Sequence, residues 1–154
     1  MPFIHIIAKV VGTIDGRVTD LGDPVSFEIE KDNVSFGRME GDISIRKIFD
    51  KLKHKRFTTE QQLQIANSFS FLSRSTGTFF CRDGEWYYMH KGANPALLHK
   101  YLFDTEIDPN TTIELKKRLR MDFFSADRKF LLQMEIYALL GQDSRSAESS
   151  GTRW

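Results

Sequence analysis

Between Val25 and Glu30 the chain alternates strictly, with Val25, Phe27 and Ile29 set against Ser26, Glu28 and Glu30. A period of two puts one kind of side chain on each face of a pleated strand, so this segment is a strand with one buried face and one wet face. Such a strand cannot stand alone, because its apolar face needs a second layer. Similar segments recur before residue 45. Ile4 to Val11 is rich in β-branched residues and stops at Gly12, and Asp15-Gly16 offers a tight turn into Arg17-Val18-Thr19. Val34-Ser35-Phe36 follows the turn-prone Asp32-Asn33, and Asp42-Ile43-Ser44-Ile45 alternates again. Short strands at this spacing, punctuated by turns, predict an all-β domain.

Residues 46–68 break the pattern with helix formers and almost no strand signal. Arg46 to Lys53 places Ile48, Phe49 and Leu52 on one face. Thr59 followed by Gln62 is a capping-box spacing, with Leu63, Ile65 and Ala66 as a modest apolar face behind it. The expectation is two short helices, or a helix and a loop, inserted into a sheet. Strand signals return at Phe69 to Leu72, Thr76 to Cys81 and Glu85 to His90, the last two joined by an Asp83-Gly84 hairpin turn. Asn94-Pro95 and Asp108-Pro109-Asn110 mark further turns, and Thr112 to Leu115 and Leu119 to Phe124 read as paired strands. Phe130 to Tyr137 has a composition that suits a helix, but Phe130, Leu132, Met134 and Ile136 alternate, and a strand here completes a sandwich. From Gln142 onward Ser, Gly and charged residues dominate, the signature of a disordered tail over 141–154.

The chain has 154 residues, enough for one domain with a real core, expected over 1–140. With 40% apolar and 28% charged residues it reads as globular, and a net charge of +1 gives no global argument for nucleic acid. The single cysteine, Cys81, cannot form an internal disulfide and sits in an apolar run, so buried filler is the expectation and a reducing compartment fits. No apolar stretch approaches the roughly 20 residues of a membrane span, and the start lacks a signal-peptide layout. A cytoplasmic location without membrane attachment is the expectation.

Three loop motifs stand out from the strands. Val34-Ser35-Phe36-Gly37-Arg38, then Gly41-Asp42-Ile43-Ser44-Ile45, resembles the forkhead-associated (FHA) pattern of a strand ending in Gly-Arg, a short loop, and a strand opening with Asp-Ile. Ser73-Arg74-Ser75-Thr76-Gly77 resembles the next block, Ser-Arg-x-His-Ala. Gly84-Glu85-Trp86-Tyr87-Tyr88 is similar to the Gly-x-Trp hairpin, and Asn94-Pro95-Ala96-Leu97-Leu98 falls where the family has Asn-Gly-Thr and a following strand. The resemblance covers roughly residues 3–137. It implies an FHA-like β-sandwich of about eleven strands carrying a helical insertion at 46–68, serving as a phosphothreonine-dependent peptide-binding module in signalling or assembly. It also implies a phosphopeptide site at Arg38, Ser73, Arg74 and Asn94.

Physical chemistry says why those residue types suit a phosphate. A phosphothreonine carries about −1.5 to −2 charge and three acceptor oxygens. The Arg38 guanidinium can offer parallel bonds that a lysine cannot copy. Ser73 adds a hydroxyl and a backbone amide, and Arg74 a second charge. In the family the Asn at the position of Asn94 holds the ligand main chain, a role that suits a group both donating and accepting. Three charge-assisted bonds at about 1.5 to 3 kcal/mol each, less association costs, give micromolar binding or weaker.

The departures are specific. The family's bracing His is Thr76 here, its Gly after Asn is Pro95, and its Thr is Ala96. Pro95 removes a backbone donor and pushes Asn94 toward extended conformations. The insertion separates Ile45 from Ser73, where the family has only a few residues. The competing expectation is therefore a degenerate FHA-like scaffold that binds an unphosphorylated partner within a larger complex.

Simpler readings stand beside each motif. Arg38 can pair with Glu40 or Asp42, and Ser73-Arg74 and Asn94-Pro95 occur in ordinary turns. The basic run Arg46, Lys47, Lys51, Lys53, Lys55 and Arg56 reads as a solvated face, with a nucleic-acid or lipid patch as the sharper alternative; few aromatics interleave it. Lys116, Lys117, Arg118 and Arg120 read as a charged turn or as a contact for acidic ligand residues. His5, His54, His90 and His99 lack metal-ligand spacing and stand by no nucleophile, so neither catalysis nor a metal or other cofactor is expected. His90 and His99 flank the Asn94 loop, as packing residues by default or as a pH-sensitive rim.

Overall fold

The computed structural model describes residues 2–14, 16–69, 75–92, 96–100, 103–115, 118–124 and 129–139. Among them lie twelve strands and two helices: β1 (Phe3–Ile14), β2 (Arg17–Asp20), β3 (Val25–Ile29), β4 (Asn33–Gly37), β5 (Ile43–Ser44), α1 (Ile45–Lys51), α2 (Thr59–Ser68), β6 (Gly77–Arg82), β7 (Glu85–His90), β8 (Ala96–Lys100), β9 (Phe103–Ile107), β10 (Thr112–Glu114), β11 (Leu119–Phe124) and β12 (Phe130–Leu139). The larger sheet runs β2-β1-β12-β11-β8-β9, with β3 also paired to β1. The smaller runs β10-β7-β6-β4-β5. Among the described strand pairs, only the short β4–β5 pair is parallel.

Alternation decides which face of each strand is buried. Ile4, Ile6, Ala8 and Val10 of β1 point inward with Leu132, Met134, Ile136 and Ala138 of β12, and the register sets Ile4 opposite Ala138 and Ile6 opposite Ile136. From the smaller sheet come Val34, Phe36, Phe79, Trp86 and Tyr88. Phe36 and Phe123 join the layers with ring centroids 5.2 Å apart, within the range of favourable aromatic pairs. No helix among the described residues is long and apolar enough to cross a membrane.

Several elements differ from the sequence expectation. The twelve described strands agree with the expected sandwich of about eleven, but β9 carried no recognised signal. Thr112–Glu114 and Leu119–Phe124 are not partners: β10 pairs with β7, whereas β11 pairs with β8 and β12, so the chain changes sheets between them. The Leu115 amide donates to the Trp86 carbonyl at 2.8 Å and keeps the β10 end on the smaller sheet. Phe130–Leu139 is a strand, as its alternation indicates. The expected strand at Phe69 to Leu72 falls largely outside the described residues, as does the 141–154 tail.

In the insertion, Ser44 caps α1 by accepting from the Lys47 amide, and Ile48, Phe49 and Leu52 are buried as their spacing predicts. The capping box of α2 lies one residue earlier than expected. Gln61 donates its amide to the Thr58 hydroxyl, and the Gln61 side chain accepts from the Thr58 amide at 2.8 Å. Leu63 is 67% exposed while Ile65 is buried. Two residues apart on a helix lie about 200° apart, so one core cannot take both. The segment after α1 is sewn to the β2–β3 turn: Asp23 N–H donates to the Lys53 carbonyl at 2.9 Å, Arg56 N–H donates to the Leu21 carbonyl at 3.0 Å, and His54 Nδ1 lies 2.6 Å from the Asp23 carboxylate.

Candidate functional site

Because β4, β6 and β7 are antiparallel neighbours, the end of β4, the start of β6 and the end of β7 fall together. Phe36, Gly77 and His90 stand side by side in register. From these points the chain connects to the segments the sequence singles out: 38–42 with Arg38, 70–74 with Ser73 and Arg74, and 91–95 with Asn94. Arg38 follows β4 directly and is half-buried. Ser73, Arg74 and Asn94 lie outside the described residues.

The roots of the three loops are joined at one residue. Thr76, fully buried, donates its amide to the Phe36 carbonyl, just before Gly37-Arg38, at 2.9 Å. Its carbonyl accepts from both Lys91 N–H and Gly92 N–H at 2.9 Å, on the approach to Asn94. Behind this node, Tyr88 and His90 face inward on the same side of β7 as Trp86, alternating with Tyr87 and Met89. The Tyr88 hydroxyl lies 2.8 Å from His90 Nδ1 and 3.5 Å from the Thr76 carbonyl. Burial pushes the Tyr88 phenol well above its ordinary value, so it remains a neutral hydroxyl. His90 is fully buried, its ring 6.4 Å from that of Phe123. It is a packing residue, not a rim residue. A Cβ on Gly92 would come 3.3 Å from His90 Cε1 and 3.6 Å from the Thr76 methyl, which places an imidazole beside the very residue where the family pattern has its histidine. Parity with Trp86 was the sequence signal for this inward placement.

The 38–42 loop is held from within. Asp42 accepts from Lys31 Nζ at 2.8 Å and from the Ser35 amide at 3.0 Å, while its own amide donates to the Ser35 hydroxyl at 3.0 Å. Burial alone would raise its carboxyl, but the hydrogen bonds from Lys31 and Ser35 and the Lys31 charge hold it below its ordinary value. Gly41 has φ +126, and a side chain there would press on the Ser35 and Ile43 carbonyls. Met39 is 49% exposed beside Arg38, an apolar group at the rim that no sequence pattern flagged. Of the second basic cluster, Arg120 forks onto Asp122 at 3.0 and 3.1 Å and Arg118 pairs with Glu135 at 3.3 Å, while Lys116 and Lys117 lie outside the described residues.

No protein-family model matches the chain, and no curated protein matches it. Among solved structures, it is similar to an engineered FHA domain with a Myc-pTBD peptide at 11% identity and a TM-score of 0.52, covering 92% of this chain and 97% of that one. The N-terminal FHA domain of S. cerevisiae Rad53p in complex with a phosphothreonine peptide is matched at 12% identity and TM-score 0.47, over 92% and 98%. The IAD domain of Interferon Regulatory Factor 9 is matched at 9% identity and TM-score 0.48, over 96% and 88%. The fold of this chain is FHA-like, a β-sandwich with a short helical insertion.

Proposed function

We propose that this protein is a recognition module that binds a phosphothreonine-containing peptide or protein segment across the 38–42, 70–74 and 91–95 loops, in signalling or assembly. The observation that carries the reading is the Thr76 node, which ties the roots of all three loops together and leaves Arg38 half-buried at their common end. Roots already joined need not be brought together by the ligand, which favours binding by few contacts. Arg38 is assigned the phosphate oxygens, with Ser73 and Arg74 as further donors and Asn94 on the ligand main chain. The engineered FHA domain of similar fold was solved with a peptide, which is consistent with this use of the fold.

The test is a titration of a degenerate peptide pool with a central phosphothreonine against its unphosphorylated twin. The phosphorylated pool should bind at micromolar affinity or weaker, and the twin should not bind. Arg38→Ala should weaken binding about a hundredfold, the loss of two charge-assisted bonds, with an unchanged melting profile. Ser73→Ala should weaken it as well. Equal binding of both pools would make the domain a scaffold for unphosphorylated partners.

A further inference from the structure

The six basic residues between Arg46 and Arg56 do not form one patch. α1 has seven residues, which separates its ends by about 9 Å. At the far end Lys51 lies over the Phe27 ring at 4.9 Å, and Lys53 and Arg56 bond through their backbones to the β2–β3 turn. Arg46 and Lys47 sit at the other end, against the Arg38 loop. The Arg46 amide donates to the Arg38 carbonyl at 3.2 Å, and Lys47 Nζ donates to the Gly41 carbonyl at 2.7 Å.

Arg46 differs from its neighbours in what its charge meets. Lys47 is spent on the loop carbonyls, and Asp42 is taken by Lys31 and Ser35. Arg46 is exposed, and among the described residues its guanidinium has no hydrogen-bond or ion-pair partner. Lys31, Arg38, Arg46 and Lys47 against Glu40, Asp42 and Asp50, the last one helical turn from Arg46, leave this corner with an excess of one positive charge. An exposed arginine is commonly just solvated. Here, however, its backbone amide is hydrogen-bonded to the carbonyl of the residue assigned to the phosphate, so the two arginines start from adjoining backbone positions.

We infer that Arg46 reads a second anionic group on the ligand, a carboxylate or a further phosphate flanking the phosphothreonine; this rests on the phosphopeptide reading above. The insertion thereby contributes to specificity as well as to the core. An exposed charge pair of this kind supports a preference of about 3- to 10-fold at low salt, falling as salt rises.

The experiment uses four labelled peptide pools: a central phosphothreonine with neutral flanks, the same with Asp/Glu flanks, the same with flanking phosphoserine, and the neutral pool with plain threonine. Each is titrated against wild type, Arg46→Gln, Lys53→Gln and Arg38→Ala. Wild type should prefer the acidic pools 3- to 10-fold over the neutral one. Arg46→Gln should bind all phosphothreonine pools as wild type binds the neutral pool, and Lys53→Gln, an equal change of net charge at the far end, should keep the preference. Flanking phosphoserine bound well above Asp/Glu assigns the second group as phosphate; equal binding assigns it as any anion. Absence of the preference in wild type, its survival in Arg46→Gln, or its equal loss in Lys53→Gln overturns the inference while leaving the phosphopeptide function intact. A neutral phosphothreonine pool bound no better than its threonine twin overturns that function, and this inference with it.

Discussion

Asp42 illustrates how a residue flagged for one reason can act for another. Its place after Gly41 was legible from the Gly-Arg and Asp-Ile strings, and a pair with Arg38 was the simple expectation. Lys31 and Ser35, seven to eleven residues upstream, hold the carboxylate in the structure. Because its carboxyl is held below the ordinary value of 3.8, the stabilisation is complete above that pH and is lost as pH falls through the lower, folded-state value. Asp42→Asn should therefore cost about 1 to 2 kcal/mol at neutral pH in urea unfolding, with the gap closing as pH falls through the folded-state value. A gap independent of pH would mean that the carboxylate charge contributes nothing. At the same scale, Arg38 was legible as a candidate because a guanidinium after a strand is a local pattern, whereas the burial of His90 depends on the layer beneath it.

At the scale of elements, strands with one buried face could be read directly: β3 runs over the residues its alternation marked, and β7 over those its strand and turn signals marked. Pairing could not, since two adjacent strands such as β10 and β11 look like a hairpin until one sees that each has a partner elsewhere. The β6–β7 hairpin is more specific. Asp83 and Gly84 have φ 53 and 81, the left-handed turn its sequence announces. At the other end of the hairpin, a Cβ on Gly77 would run into the Tyr88 ring and hydroxyl, and Tyr88 cannot yield because it is buried and bonded to His90. Gly77→Ala should lower stability by about 1 to 3 kcal/mol and weaken ligand binding by spreading the loop roots. Calorimetry and peptide titration on one preparation would check both, and an unperturbed melting temperature would show that the node is slack.

For the whole molecule, the insertion is part of the sandwich rather than an appendage. Ile48, Phe49, Leu52 and Ile65 belong to the common core, and Gly22 admits Leu52 and the Lys53 carbonyl closely enough that a Cβ would meet them at 2.9 and 3.2 Å. Gly22→Val should lift this segment from the β2–β3 turn, lower the melting temperature by several degrees, and open residues 53–58 to protease at unchanged length of the remaining fold. Protection equal to wild type would show that the segment docks elsewhere. Periodicity and turn chemistry in the sequence determined the strands, the position of the helical interruption and the order of the three loop motifs, because those are properties of neighbours along the chain. Only the tertiary structure decided which strands pair, that Thr76 joins the three loop roots, and that the Arg46 backbone bonds to that of Arg38. These are contacts between residues that are not neighbours along the chain, settled by which apolar faces can be buried together and which backbone groups must then find partners.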